Sequence, residues 1–292
     1  MYKTFAFDDN ANEYDRWYEG NKEIYQSELL ALKQVVPIDK MGLEVGVGTG
    51  RFAVPLGVRI GVEPSEAMLS IARQRGVKVK KGFAENLPFK DKSFDFVLFV
   101  TTICFLNDIS KALKEVYRVL VKNGEIIIGL IDKNSYLGKR YEEIKRGNKF
   151  YKNAKFYSVD EIVNLLKLSN FHNFSFYQTL INPSNKEVET PQKGYGKGSF
   201  VIIKAIKKLR GSHPEKLSQD EIKRNLTMIV IDKDATWALN VVKDYGLVGE
   251  KDEVTPDEAL VKCREGLRKI KKAERAHCNQ CGSCNHCKSP FG

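Results

Sequence analysis

Long hydrophobic runs are missing from this 292-residue chain. No stretch approaches the roughly 18 consecutive apolar residues that a membrane-spanning helix needs. The start, Met1-Tyr2-Lys3-Thr4-Phe5-Ala6-Phe7-Asp8-Asp9, has neither the basic region nor the apolar region of a secretory signal. A cytoplasmic protein without membrane contact is therefore expected. Cysteine is scarce until the very end: of six, only Cys104 falls within the first 262 residues. A disulfide-stapled secreted scaffold spreads its cysteines through the chain, so that class is excluded and a reducing compartment fits. Histidine is scarcer, with four in all and His172 alone among the first 210 residues. No general base stands out there. What is present, 42% hydrophobic and 29% charged residues, is globular and excludes disordered, collagenous and coiled-coil chains.

Lys and Arg exceed Asp and Glu by 48 to 37, a net charge of +11. Residues 211–292 hold 14 basic against 13 acidic side chains, so almost all the excess lies in the first 210 residues. It gathers in two runs: 139–155 has seven basic and two acidic residues, and 193–210 has six basic and none acidic. Such runs suit a nucleic-acid backbone or an ordinary solvated face.

From Met41 to about Phe200, apolar runs of strand length alternate with helical patterns, the grammar of a parallel sheet with crossovers. The expected strands are Gly42 to Val45, Arg59 to Glu63, Val77 to Gly82, Phe94 to Val100 and Glu125 to Ile131, the first three each leading through a short loop into a helix-like stretch. Ser65 caps the expected helix through Met68, and Asn107 or Asp108 another through Leu120, closed by Asn123-Gly124. Ser158-Val159-Asp160-Glu161 is a capping box for a third. Phe174 to Ile181 and Ser199 to Ile206, joined without a helix, are expected to be antiparallel neighbours. After Gly211 two more capping boxes, Ser218 to Glu221 and Thr255 to Glu258, and a helical stretch from Ala259 to Ala276 ending before the cysteines, predict a small, mostly helical appendage. The expected division is 1–210 and 211–292.

Glu44-Val45-Gly46-Val47-Gly48-Thr49-Gly50 follows the first strand. Glycines there let the backbone turn tightly and approach a ligand. Arg51 stands where a dinucleotide loop would need its last glycine, and Glu44 would repel a pyrophosphate but attract a cationic centre. Seventeen residues after Gly46, Glu63-Pro64 ends the second strand, where a carboxylate accepts ribose hydroxyls. Past the third strand, Phe83-Ala84-Glu85-Asn86-Leu87-Pro88-Phe89 offers a polar pair where an adenine edge would fall. An adenosine at one end and a cationic amino acid at the other describe S-adenosylmethionine.

These stretches, with Tyr14-Asp15-Arg16-Trp17-Tyr18, Gly61-Val62-Glu63-Pro64-Ser65, Gly82 to Phe89, Asp91 to Asp95, Leu113 to Leu120 and Lys122-Asn123-Gly124-Glu125, resemble class I S-adenosylmethionine-dependent methyltransferases, in the branch that includes quinone-biosynthesis enzymes. The resemblance runs from about Phe7 to Ile206 and departs at Asn123, where the family often has proline. It implies an α/β, Rossmann-like seven-stranded sheet with its last strand antiparallel. It also implies that Gly46, Gly48 and Gly50 line the methionine end with Glu44 near the amine, that Glu63 holds the ribose with Pro64 also at the cofactor, and that Ala84 and Glu85 flank the adenine. Thr101 would face the cofactor and Tyr14 would close over it, while Met68 either backs the adenine or simply fills space.

The Asn/Asp-Pro-Pro-aromatic stretch of nucleic-acid amine methyltransferases is absent, replaced by Val100-Thr101-Thr102-Ile103-Cys104. Cys104 lacks the adjacent proline and the partner cysteine that would make it an RNA-methylating nucleophile. A small-molecule acceptor is expected, held by the N-terminal segment, the insert from Asn134 to Tyr157 and the loop around Tyr195. Trp17, Tyr18, Tyr136 and Tyr195 are its candidate contacts, within an aromatic set that also holds Tyr141, Phe150 and Tyr151 and suits a flat or amine-bearing molecule. RNA bound by the two basic runs is the alternative, and a non-catalytic cofactor-binding regulator the third reading. Separately, Cys278, Cys281, Cys284 and Cys287 form a C-x2-C-x2-C-x2-C series, which suits a soft metal. Its compactness favours an iron–sulfur cluster, its four thiolates equally allow zinc, with His277 or His286 as mixed ligands, and redox thiols or no metal form the third reading; all stay open.

Overall fold

In the computed structural model, which describes residues 5–208 apart from Asn185 and, beyond them, isolated positions and residues 254–281, the apolar runs become one mixed sheet. Its strands are β1 (Gly42–Val45), β2 (Ile60–Glu63), β3 (Lys78–Lys81), β4 (Phe94–Val100), β5 (Leu120–Ile131), β6 (Phe171–Thr179), β7 (Gln192–Lys193) and β8 (Phe200–Lys207). They lie in the order β3-β2-β1-β4-β5-β8-β6-β7. The first five are parallel, and β8 enters antiparallel between β5 and β6. The α/β Rossmann-like fold is as expected, but the sheet has eight strands instead of seven. The addition, β7, pairs Gln192 and Lys193 with Gln178 and Tyr177 at the edge. Two exposed polar residues joined only through backbone give no apolar alternation to read.

β4 is nearly continuous apolar sequence because both its faces are covered. On one side, helix α5 (Ile109–Val119) presents Ala112, Leu113, Val116 and Val119 as a buried stripe. Asp108, rather than Asn107, caps it, accepting from Lys111 N at 2.8 Å. The helix stops at Val119, short of Asn123-Gly124. Leu120 is already paired with Phe94, and Asn123 takes a left-handed φ of 57° within an irregular stretch of β5. Helix α4 (Glu66–Gln74) starts on Ser65 as expected, with Met68 N donating to its Oγ at 3.3 Å. Both halves of the Ser158–Glu161 capping box are made, opening α7 (Val159–Leu168).

Two expected helices do not form. Residues 51–57 run as consecutive turns, since Pro55 cannot donate a helical hydrogen bond and Gly57 adopts a φ of 70°. The segment after β3 also crosses without a helix, through a bridge between Phe83 and Asn86. Three N-terminal helices, α1 (Phe5–Asp9), α2 (Ala11–Gly20) and α3 (Lys22–Lys33), precede the sheet, and α6 (Tyr136–Ile144) lies in the insert between β5 and α7.

The chain divides into two units, Met1–Gly211 and Ser212–Gly292. In the second, helix α8 (Pro256–Cys281) opens on the Thr255–Glu258 box and buries Ala259, Leu260, Cys263 and Leu267 along one stripe. It does not end before the cysteines but carries its backbone through Cys278 and Cys281. Cys284 and Cys287 lie outside the described residues, as do the side chains of Cys278 and Cys281, so the expected metal site lies outside them too. The Ser218 box also falls there. Among the described residues, no helix is long and apolar enough to cross a membrane.

Candidate active site

The strand order reverses between β1 and β4, and crevices open at the C-terminal strand ends of such sheets. Here the crevice is a cleft of about 790 Å3. Gly46, Gly48, Glu63, Pro64, Met68, Ala84, Glu85, Thr101 and Tyr14 all line it, drawn from five segments separated in sequence. Glu44 and Gly50 do not. Gly50 is a packing glycine, whose added Cβ would lie 3.1 Å from Val77. A Cβ on Gly46 would come within 2.2 Å of Thr102, whereas one on Gly48 meets nothing within 4 Å. All three have positive φ, at 70°, 53° and 81°. Sequence reading missed Phe7, Phe83, Phe105, Leu106 and Asn107 on the walls. They sit in irregular segments where no periodicity marks an inward face.

Three buried carboxylates surround the glycine loop. Glu44 is 2% exposed, and its Oε2 has no hydrogen-bond partner. Burial, with the Glu63 charge nearby, pushes its carboxyl well above the usual range. An orphaned carboxyl oxygen beneath a glycine loop fits a cationic ligand group, whose charge would favour the ionised form. Glu63 accepts from Gly48 N at 3.2 Å and Ser65 N at 3.0 Å. Burial raises it to about 7 in spite of those bonds. Glu85, on the cleft wall, also accepts through Oε1 from Asn107 N at 2.9 Å and Asp108 N at 3.3 Å, fixing the entry to α5 beside the cleft.

Arg51, the departure from a dinucleotide loop, has a structural purpose. Its guanidinium donates to Asp15 on α2, Nη2 to Oδ2 at 2.6 Å and Nε to Oδ1 at 2.9 Å. Arg75 reaches the same carboxylate at 2.6 Å, and the Thr49 hydroxyl donates to it at 2.6 Å. The neighbouring residue on α2 is Tyr14, so this hub docks the Tyr14 helix onto the glycine loop. Tyr14 and Tyr18 hydroxyls lie 2.9 Å apart, and burial pushes Tyr14 up to about 12.

Thr101 is a β-branched residue held at φ 50°, a conformation costing ~1–3 kcal/mol. Its N–H donates to Gly129 O at 2.8 Å, and its carbonyl accepts from Cys104 Sγ at 3.3 Å. It is also where the cleft adjoins a second, narrower cavity of about 350 Å3, walled by Cys104, Ile131, Tyr141, Tyr151, Phe156 and Tyr157 among others. Tyr141 and Tyr151 stack at 5.2 Å, and Phe105 stacks on Tyr151 at 6.0 Å. None of Trp17, Tyr18, Tyr136 and Tyr195 lines either of these cavities. Tyr18 is core, packed on Tyr25 and Phe52. Trp17 and Tyr136 are exposed, and Tyr195 donates to Asp160 at 3.1 Å beside a separate hollow. The insert supplies the aromatic walls instead.

Comparison with known proteins agrees with this geometry. Residues 43–128 match a family described as a methyltransferase domain. A crystal structure from Thermotoga maritima, described as a SAM-dependent methyltransferase and possible histamine N-methyltransferase, is 52% identical, with a TM-score of 0.68 over 70% of this chain and 100% of that one. The chain belongs to the class I S-adenosylmethionine-dependent methyltransferases. This methyltransferase is also 48% identical to an uncharacterised protein of Methanocaldococcus jannaschii, over 69% of its own length and 98% of the relative's. A demethylmenaquinone methyltransferase of Chlorobaculum tepidum is 34% identical over 108 residues, 34% of this methyltransferase and 45% of that enzyme.

Proposed function

We propose that this enzyme moves the methyl group of S-adenosylmethionine onto a small-molecule acceptor held in the narrow cavity beyond Thr101. The observation that carries this reading is the shared wall: one strained residue stands between the larger cleft and a narrower pocket walled by aromatic side chains. In this reading Glu44 takes the cofactor's amine, Gly46 and Gly48 give its methionine end close backbone approach, Glu63 accepts the ribose hydroxyls, and Ala84 with Met68 borders the adenine. When bound, the cofactor supplies an electrophilic methyl carbon on a sulfonium. The protein's part is to hold the acceptor atom in line with that carbon and to exclude water.

The basic runs lend RNA less support than their charge suggests. Lys145 pairs with Glu142, and Lys149 with Glu13. Lys204 pairs with Glu125, and Lys207 is buried with its ammonium donating to Leu120 O at 2.6 Å. Incubating the full chain with methyl-labelled cofactor and either a small-metabolite extract or total RNA decides between them. Label is expected in the small-molecule fraction, and label confined to RNA would overturn the reading.

Gly48 gives a narrower check. Gly48→Ala places a methyl group where the protein has open space, so stability is expected to fall by only about 1–2 kcal/mol for the left-handed backbone. Cofactor affinity, measured by calorimetry, is expected to fall at least tenfold because that space belongs to the ligand. Undiminished affinity would remove Gly48 from the cradle.

A further inference from the structure

We infer that the turn at Lys149-Phe150-Tyr151 clasps the N-terminal helices to the acceptor wall, so that filling the cofactor cleft completes the acceptor cavity. This rests on the two-cavity reading above and adds how one cavity governs the other. Each of the three residues reaches a different place. The Lys149 ammonium donates to Asn10 Oδ1 at 3.1 Å and pairs with Glu13, both at the start of α2. The Phe150 ring lies 5.6 Å from Phe7 on α1 and 5.6 Å from Tyr14 on α2. Tyr151 instead walls the second cavity, stacked on Tyr141. Asn148 fixes the backbone beneath the two rings, its Oδ1 accepting from Phe150 N at 2.9 Å and from Tyr151 N at 3.1 Å.

Helix α2 is therefore held from two directions. The Asp15 hub ties it to the glycine loop, and Lys149 ties its first turn to the insert. Between these ties Phe7 and Tyr14 line the cofactor cleft, whereas Phe150 lines neither cavity. The Lys149–Glu13 pair is exposed and adds little by itself. The rings carry the coupling, because aromatic pairs stabilise beyond the area they bury and Phe150 makes two of them. Phe7 and Tyr151 also meet at Phe105, whose N–H donates to Thr102 O just after β4, so both sides close against a ring rooted in the sheet. A ligand in the cleft packs against Phe7 and Tyr14, limits their movement and favours the seated Phe150, with Tyr151 in place in the acceptor wall. Such coupling is reciprocal, so a molecule in the acceptor cavity tightens the hold on the cofactor. Phe150 is thus a positioning residue, acting through Tyr14 and Tyr151.

Hydrogen exchange on the full chain, read by mass spectrometry with and without saturating S-adenosylhomocysteine, tests the clasp without any acceptor. In the wild type, amides across 149–157 are expected to exchange about fivefold or more slowly once the ligand is bound, although none of these residues lines the cofactor cleft. Phe150→Ala is expected to bring that slowing below about twofold, and Phe150→Tyr, which keeps the ring, to restore it. No slowing in the wild type, equal slowing in Phe150→Ala, or none recovered in Phe150→Tyr each overturns the proposal. Calorimetry on the same samples keeps the two readings apart. Absence of S-adenosylhomocysteine binding overturns the cofactor reading and the clasp together, whereas binding without slowing overturns the clasp alone. The wild-type comparison decides the matter even if Phe150→Ala folds poorly.

Discussion

Glu63→Ala is expected to weaken S-adenosylmethionine binding about 100-fold or more. A carboxylate that accepts both ribose hydroxyls makes two charge-assisted hydrogen bonds, each worth about 1.5–3 kcal/mol, and ~1.4 kcal/mol is a factor of ten. The same substitution also frees Gly48 N and Ser65 N, which Glu63 now holds, and so loosens the glycine loop. Glu63→Gln keeps acceptor atoms without charge and is expected to lose roughly tenfold. There is a pH signature. Burial holds the free enzyme's carboxyl near 7, and hydroxyl donors favour its ionised form, so binding is expected to tighten as pH rises. Between pH 5.5 and 6.5, both below that value and below the cofactor's own amine, the gain is about tenfold per unit. Glu63→Gln is expected to reduce this slope in calorimetry, leaving the part that the raised Glu44 carboxyl contributes. A slope unchanged in the variant would assign the titration to another group.

Asp15→Ala is expected to destabilise the first unit by about 3–5 kcal/mol in urea unfolding at pH 7, because it strands two partly buried guanidiniums. Burial alone would raise the Asp15 carboxyl, but Arg75, Arg51 and Thr49 outweigh it and hold the group well below the usual carboxylate range. Its folded value is depressed, so its stabilisation is present in full above the unfolded value of 3.8 and is lost as pH falls further. The gap between wild type and variant is therefore expected to narrow in acid. A constant gap from pH 7 to 3 would mean that Asp15 acts through packing and not through charge.

Much of this was legible because the central strands and α5 carry strong periodic signals, and because a glycine loop following a strand restricts what can bind. Gly46, Gly48 and Glu63 could be placed on the cleft by spacing, whereas Gly50 turned out to pack against Val77. The acceptor wall could not. Tyr141 and Tyr151 belong to an insert whose residues look alike in sequence, and which tyrosines turn inward depends on the path from α6 to α7. Tyr18 and Trp17 are adjacent on one helix, yet one is core and the other exposed. The meaning of Arg51 needed the α2 docking, a contact across 36 residues.

The position of Thr101 between the two cavities separates two kinds of change. In the proposed reading the cofactor side is built largely from the loops that follow the parallel strands, and the tyrosine and phenylalanine wall of the acceptor side from the insert between β5 and α7. Substitutions in that insert can therefore exchange one acceptor for another without disturbing the methyl donor's seat. Relatives that share the glycine loop but differ across residues 134–157 need not share a substrate, and ancestry traced through the loop alone is a poor guide to which molecule is methylated.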